Sequence, residues 1–235
     1  MTGTRVAILQ SNYIPWKGYF DLMNSVDEFI LYDCVQYTRS DWRNRNRIRC
    51  GDCCCFLTIP VSVPDRFETP IDAVEACDDH WRRKHFQALV CNYGRTPGFR
   101  LWGELFRELY LGGRERNLSR INRSFLEAVN RLLGIRTVLH DAREFALPAG
   151  MERTRRLVEL CRRLGASTYL SGPAAKCYLD ETAFREAGIE VEWMNYEGYP
   201  EYPQRGIGPF VHQVSVLDLL FNTGSDAPRY MKSFQ

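Results

Sequence analysis

ILQSNYIPWKGYFDLMNSVDEFILYDCVQYTRSDWRNRN, residues 8–46, runs from an apolar strand through a polar loop into a helix, then a second apolar strand and a dense polar stretch. Arg5 to Gln10 reads as the first strand, Gly18 to Ser25 as the helix and Glu28 to Tyr32 as the second strand. Asp33, Gln36, Tyr37, Arg39, Asp41, Arg43, Asn44, Arg45 and Asn46 then crowd together where the second strand ends. In an open α/β sheet, ligands gather at the carboxyl ends of strands, so the position of this crowd is as informative as its composition.

Outward from this stretch the same grammar recurs. NLSRINRSFLEAVNRLLGI (117–135) puts Ile121, Phe125, Val129 and Leu132 on one helical face with Gly134 as a stop, and TVLHD (137–141) follows as a strand. In GMERTRRLVELCRRLGASTYLSG (150–172), Leu157, Leu160 and Leu164 face inward, Gly165 closes the helix and STYLSG is the next strand. A helix over ETAFREAG and a strand over IEVEWMNY complete a further unit. These units predict an α/β fold, a mainly parallel sheet covered by helices. Ile48 to Cys50 and Cys53 to Ile59 predict a small β-hairpin about Gly51-Asp52, and Pro60 and Pro64 limit the strand LTIPVSV. Residues 78–133 read as a mainly helical lobe within one unit spanning 1–235.

With 45% hydrophobic and 26% charged residues, the chain has the composition of a globular domain, and its formal charge of +2 argues against a general polyanion-binding surface. No apolar run approaches a membrane span and the N-terminus enters a strand at once, which predicts a cytoplasmic protein. In that setting the nine cysteines are expected to be reduced. The Cys50–Cys55 cluster contains one C-x-x-C pair, but no second pair or nearby His completes a tetrahedral set, so no metal site is expected there.

Three clusters carry candidate chemistry. Ser171, Gly172 and Lys176, after a strand, have the hydroxyl, amide and point charge of an anion loop, although a plain strand-to-helix turn has the same punctuation. The polar stretch supplies Asp33, Gln36, Tyr37, Asp41, Arg43, Asn44, Arg45 and Asn46, joined by Gln10, Asn12 and Tyr13 after the first strand, as a pocket for a small polar, partly anionic substrate. Asp33 or Asp41 can orient an amine or hold Mg²⁺; the alternative is a solvated loop with internal ion pairs. His80 and His85 open a helix in DDHWRRKHF, where His80 is a candidate general base, His85 a further catalytic candidate together with Lys176, and Asp78 or Asp79 a cap. Asp218, inside an apolar helix, must be paired and reads as a structural anchor. His140 and His212 read as packed or exposed residues.

ILQSNYIPWKGYFD, DCVQYTRSDWRNRN, LTIPV, LGASTYLSGPAAKCYLD, YPQRG and SVLDLLFNTG, in this order along nearly the whole chain, resemble the signature blocks of the WbqC-like proteins. The triple cysteine before FLTIPV and the segment with His212 have no counterpart in that pattern. The resemblance implies a biosynthetic role in bacterial surface polysaccharides such as O-antigen, or in specialised metabolism, with transfer of an aminoacyl or acyl group such as glycine to an amino sugar. The block order is also similar to a nucleotide-binding HUP-type, Rossmann-like fold, which implies ATP and Mg²⁺ as cofactors and SGPAAK as the phosphate loop. The H-x-G-H phosphate motif of that fold is absent. The expectation is therefore a transferase or ATP-dependent amide ligase acting on a small molecule. An acyl thioester or aminoacyl-tRNA donor, or a metabolite-binding protein without turnover, stays open beside it, and aminoacyl-tRNA is the one nucleic acid that fits.

Overall fold

The computed structural model describes residues 3–65, 68–148 and 150–235. The opening stretch folds as β1 (Thr4–Leu9), α1 (Lys17–Asn24) and β2 (Glu28–Leu31). The hairpin β3 (Arg45–Cys50) and β4 (Cys53–Thr58) turns at Gly51, whose φ of 62° suits a residue without Cβ. Only β5 (Val61–Ser62) remains of the strand expected beyond Pro60, paired with β6 (Glu75–Ala76). The middle section is helical, with α2 (His80–Tyr93), α3 (Pro97–Arg107) running into a π-helical turn at Glu108–Gly112, and α4 (Leu118–Leu133). Then come β7 (Val138–Asp141), α5 (Arg153–Arg163), β8 (Ala166–Ser171), α6 (Glu181–Glu186), β9 (Glu190–Trp193) and α7 (Val216–Thr223).

The five long-range strands form one parallel sheet in the order β7-β2-β1-β8-β9. The chain builds outward from β1 through β2 to β7, then returns to lay β8 on the other side of β1. Connections leave β1 and β8 in opposite directions, which makes their carboxyl ends the switch point of a doubly wound sheet.

The two-residue period of the strands sorts their side chains into two cores. Ala7, Phe29, Leu31 and Leu170 join Tyr19, Phe20, Leu126 and Val129 of α1 and α4 on one face. Val6, Ile8, Ile30, Tyr32 and Tyr169 join Leu157, Leu160 and Phe184 of α5 and α6 on the other. The first core continues through Trp81, Leu89, Phe106 and Tyr110 of the helical section to Leu217 and Phe221 of α7. Asn117 caps α4 by accepting from the Arg120 amide, and Gly134 ends it with a φ of 75°. Asp78, and not Asp79, accepts from the His80 amide at the start of α2.

Two buried charges tie the carboxyl-terminal segment down. Asp218 accepts from Tyr93 (2.6 Å), Tyr202 (2.7 Å) and Gln204 (2.7 Å), the anchor its sequence context required. The Lys17 ammonium donates to the carbonyls of Pro200 (3.0 Å) and Tyr230 (3.1 Å), and burial lowers its pKa to about 8. The cysteines depart from expectation: Cys50 and Cys55 are joined in a disulfide, while the other described cysteines are free. The hairpin turn sets the two on one face with Cα atoms 6.1 Å apart, within disulfide reach.

Candidate functional site

At the switch point a cleft of about 620 Å³ opens between the ends of β1 and β8. Four expected residues line it: Gln10 from the end of β1, Gln36 from the loop after β2, and Ser171 and Gly172 from the end of β8. The remaining polar lining comes from residues not singled out as candidates in the sequence, chiefly Arg153, Arg156, Tyr32, Tyr169 and Tyr178. Both arginines belong to the first turns of α5. A helix that precedes a parallel strand begins at that strand's carboxyl edge, so the topology carries these cations to the ligand edge of the sheet.

The geometry of the lining is electropositive. The Arg153 guanidinium sits 4.0 Å from the Tyr178 ring centroid, a cation–π contact on an exposed aromatic. Arg156 donates to the Tyr32 hydroxyl, and its buried Nε has no partner. The Tyr169 and Ser171 hydroxyls are hydrogen-bonded to each other, and burial raises the Tyr32 and Tyr169 pKa values, keeping both phenols neutral. Glu152 is committed to capping α5 through the amides of Thr154 (3.0 Å) and Arg155 (2.9 Å). Among the described residues neither Asp nor Glu lines the cleft. It thus offers two guanidinium groups, amide and hydroxyl donors and a flat aromatic, the set that suits a phosphate or carboxylate on a planar or sugar-bearing ligand.

Most of the polar crowd after β2 serves a different end. Asn46 donates to the carbonyls of Tyr13 (3.1 Å) and Ile14 (3.0 Å), and so holds a loop in which Ile14 takes a φ of 38°, a conformation β-branched residues avoid. Asn44 bonds the Ile59 carbonyl at 2.8 Å. Tyr37 is buried and its amide donates to Thr69. Arg45 covers the Phe56 ring at 4.8 Å and donates to the Ser40 carbonyl. Arg43 donates to Asn12 and to Gln10 Oε1 (3.2 Å), and pairs with Asp41 at 3.4 Å. Arg43 and Asn12 therefore position Gln10 at the rim of the cleft from behind.

Asp33 occupies a separate place. Its carboxylate, 3% exposed, accepts from the Ser11 amide at 2.7 Å and from the Ser119 hydroxyl, and burial raises its pKa. It walls a second cavity of about 390 Å³ beyond the ends of β2 and β7.

The two histidines and the lysine stand apart from the switch point. His85 is buried in an aromatic cluster with Tyr13, Trp81 and Tyr110, and Nδ1 lies 2.9 Å from the Tyr13 hydroxyl. Its ring also bonds the Thr58 carbonyl, and burial lowers its pKa to about 4. A neutral ring that donates through Nε2 must accept at Nδ1, so Tyr13 donates to His85 and Tyr110 donates to Tyr13 (2.7 Å). This arrangement removes Tyr13 and His85 from solvent chemistry at neutral pH. His80 is exposed on an open groove between α2 and β4. Lys176 is exposed, its ammonium 5.4 Å from the Trp193 ring centroid, outside the cleft wall formed by Ser171 and Gly172. Among the described residues no group of three or more His, Cys, Asp or Glu side chains is arranged to hold a metal ion, and no helix is long and apolar enough to cross a membrane.

The profile of the WbqC-like protein family matches residues 10–230. The chain belongs to the WbqC-like protein family. The WbqC-like match takes in every polar residue that lines the cleft, from Gln10 to Tyr178, with Arg153 and Arg156 among them. The uncharacterized protein Rv1507c of Mycobacterium tuberculosis is 44% identical over 228 residues, covering 97% of each chain. No solved structure matches this WbqC-like chain.

Proposed function

We propose that this protein is a biosynthetic enzyme that binds a phosphate- or nucleotide-bearing substrate in the switch-point cleft and transfers an acyl or aminoacyl group to an amine. The observation that carries the reading is the pair Arg153 and Arg156 at the carboxyl ends of β1 and β8, in a cleft without a carboxylate. A phosphate fits there between the Arg156 guanidinium and the Ser171-Gly172 turn, and a base or sugar ring packs on Tyr178. WbqC-like membership is compatible with the biosynthetic context, and the amine-directed reaction is the part of the proposal taken from what the sequence resemblance implies.

In the transfer, the amine nitrogen attacks the activated acyl carbon, and the bond to the leaving group breaks with its electron pair. A leaving phosphate or nucleotide gains negative charge as it departs, which Arg153 and Arg156 are placed to stabilise. Among the described residues, no His, Asp, Glu, Lys or Cys lines the cleft. The proton released by the amine therefore passes to the leaving group or to solvent. ATP with Mg²⁺ is the activating cofactor in this reading; the cleft residues suit its phosphates, whereas the metal would be held by the nucleotide and water, since Asp41 is engaged with Arg43 and Asp33 lies in the second cavity.

The absence of a side-chain base from the cleft lining also favours a second reading, a metabolite-binding protein of the same pathway without turnover. Calorimetric titration with Mg-ATP, coenzyme A and UDP-sugars, followed by an assay for pyrophosphate or free thiol release with amine present, separates the two. Saturable binding with product release supports the enzyme. Binding without release supports the carrier, and binding of none of the three refutes both.

A further inference from the structure

The carboxyl edge of the sheet carries a second polar cavity that the switch-point reading leaves unused. It lies beyond β2 and β7, with Asp33 in its wall, Ser119 and Asn117 beside it, and Asp72, Asp141, Arg123 and Arg143 around the mouth. The charges at the mouth are paired: Arg123 reaches Asp141 at 2.9 Å, Arg143 is bound to Asp72, and the exposed Arg120, which also lines the cavity, lies 3.7 Å from Glu115. Asp33 has no such partner. Its contacts are the amide and hydroxyl of Ser11 and the hydroxyl of Ser119, and among the described residues no cation lies in ion-pair contact with it. Two other carboxylates are as deeply buried, Asp21 and Asp218. Asp218 is closed in by two tyrosines and a glutamine, and Asp21 by the Lys232 and Ser233 amides of the chain's last residues. Asp33 differs in facing a cavity of about 390 Å³ that can admit a small molecule.

The Arg43 guanidinium acts on Asp33 only from a distance, and a buried carboxylate with no cation in contact with it is costly to keep charged, which favours arrival of one. The geometry points to a binding site for a small primary ammonium in this cavity, with Asp33 as its counter-ion and hydroxyl or amide groups of the ligand facing Ser119 and Asn117. A third hollow of about 350 Å³ shares Arg143 with this cavity and Arg156 with the switch-point cleft. The third hollow thus links the two sites through shared walls. In identifying the ligand as the acyl acceptor, the assignment rests on the proposed acyl transfer. The ammonium preference itself rests only on the cavity and on Asp33 as the carboxylate in it without an ion-pair partner.

The test reads the cavity without any nucleotide. Ethanolamine and glucosamine, each compared with its hydroxyl counterpart ethylene glycol or glucose, are titrated by ligand-observed NMR at neutral pH. At least one amine is expected to bind more than tenfold better than its neutral counterpart, the size of one charge-assisted hydrogen bond. Asp33→Asn, which keeps the shape, should abolish that preference with unchanged thermal unfolding. Ser119→Ala is the second variant, leaving the carboxylate in place and lowering amine binding by no more than a few fold. Equal binding of amine and neutral partners, no binding by either amine, or an amine preference that survives in Asp33→Asn overturns the assignment. Because no acyl donor or phosphate is present, a failure of the acyl-transfer reading leaves this result unaffected.

Discussion

The neutral, buried state of His85 predicts a specific loss of stability in mild acid. In the unfolded chain the imidazole titrates near 6.5, whereas in the folded protein burial lowers its pKa to about 4. Between those values the unfolded state binds a proton that the folded state refuses, so folding stability falls as pH falls through that window. The full difference, from 6.5 to about 4, is worth about 3 kcal/mol, of which about 2 kcal/mol is already lost at pH 5. Asp33 and Asp218, with pKa values raised by burial, act in the opposite direction, so the test is a difference between two proteins. Urea unfolding of the wild type and His85→Gln from pH 7 to pH 4 isolates the histidine. Glutamine retains a donor for the Thr58 carbonyl and an acceptor for Tyr13, and cannot take up the proton. The wild type should lose about 3 kcal/mol relative to the variant across the window. Parallel curves would refute the neutral, Tyr13-bonded state assigned to His85.

Other substitutions probe the loops that frame the cleft. Asn46→Ala strips the donors from two buried carbonyls around Ile14 and should lower stability by about 2–3 kcal/mol in urea unfolding. Gly172 has a φ of −72° and its nearest prospective neighbour, the Tyr196 hydroxyl, would lie 3.7 Å from an added Cβ. Gly172→Ala should therefore leave the melting temperature unchanged and weaken phosphate-ligand binding severalfold, and calorimetry of the two proteins side by side checks both. Lys176→Ala should leave that binding within about twofold, since its ammonium is over Trp193 and outside the cleft.

The fold was legible because strand and helix periods are local. Leu157, Leu160 and Gly165 mark a helix and its end whatever surrounds them, and the alternating strand–helix order leaves few topologies other than a parallel sheet. The carboxyl edge of the sheet was legible for the same reason, and Gln10, Gln36, Ser171 and Gly172 do line the cleft there. What those residues do at the edge depends on contacts across the sequence. Asn44 and Asn46 have the composition of a pocket but are spent on carbonyls of Ile59, Tyr13 and Ile14. His85 looks like a base until Tyr13 and Tyr110 enclose it. Arg153 and Arg156 look like the solvated face of an amphipathic helix; only the rule that a crossover helix begins at the carboxyl edge singles out its first turns. The Cys50–Cys55 bridge needed the hairpin register, which pairs Cys50 with Cys53 and leaves Cys55 two residues along the same face.

The central claim is that Arg153 and Arg156 make the switch-point cleft an anion site. Its most direct test is the affinity of Arg156→Ala, measured by calorimetry at fixed ionic strength, for whichever of Mg-ATP, coenzyme A or UDP-sugar binds the wild type. Loss of one charge-assisted contact to phosphate predicts a fall in affinity of roughly tenfold to a hundredfold with the melting temperature maintained. Unchanged affinity in that variant would place the ligand elsewhere and contradict the account.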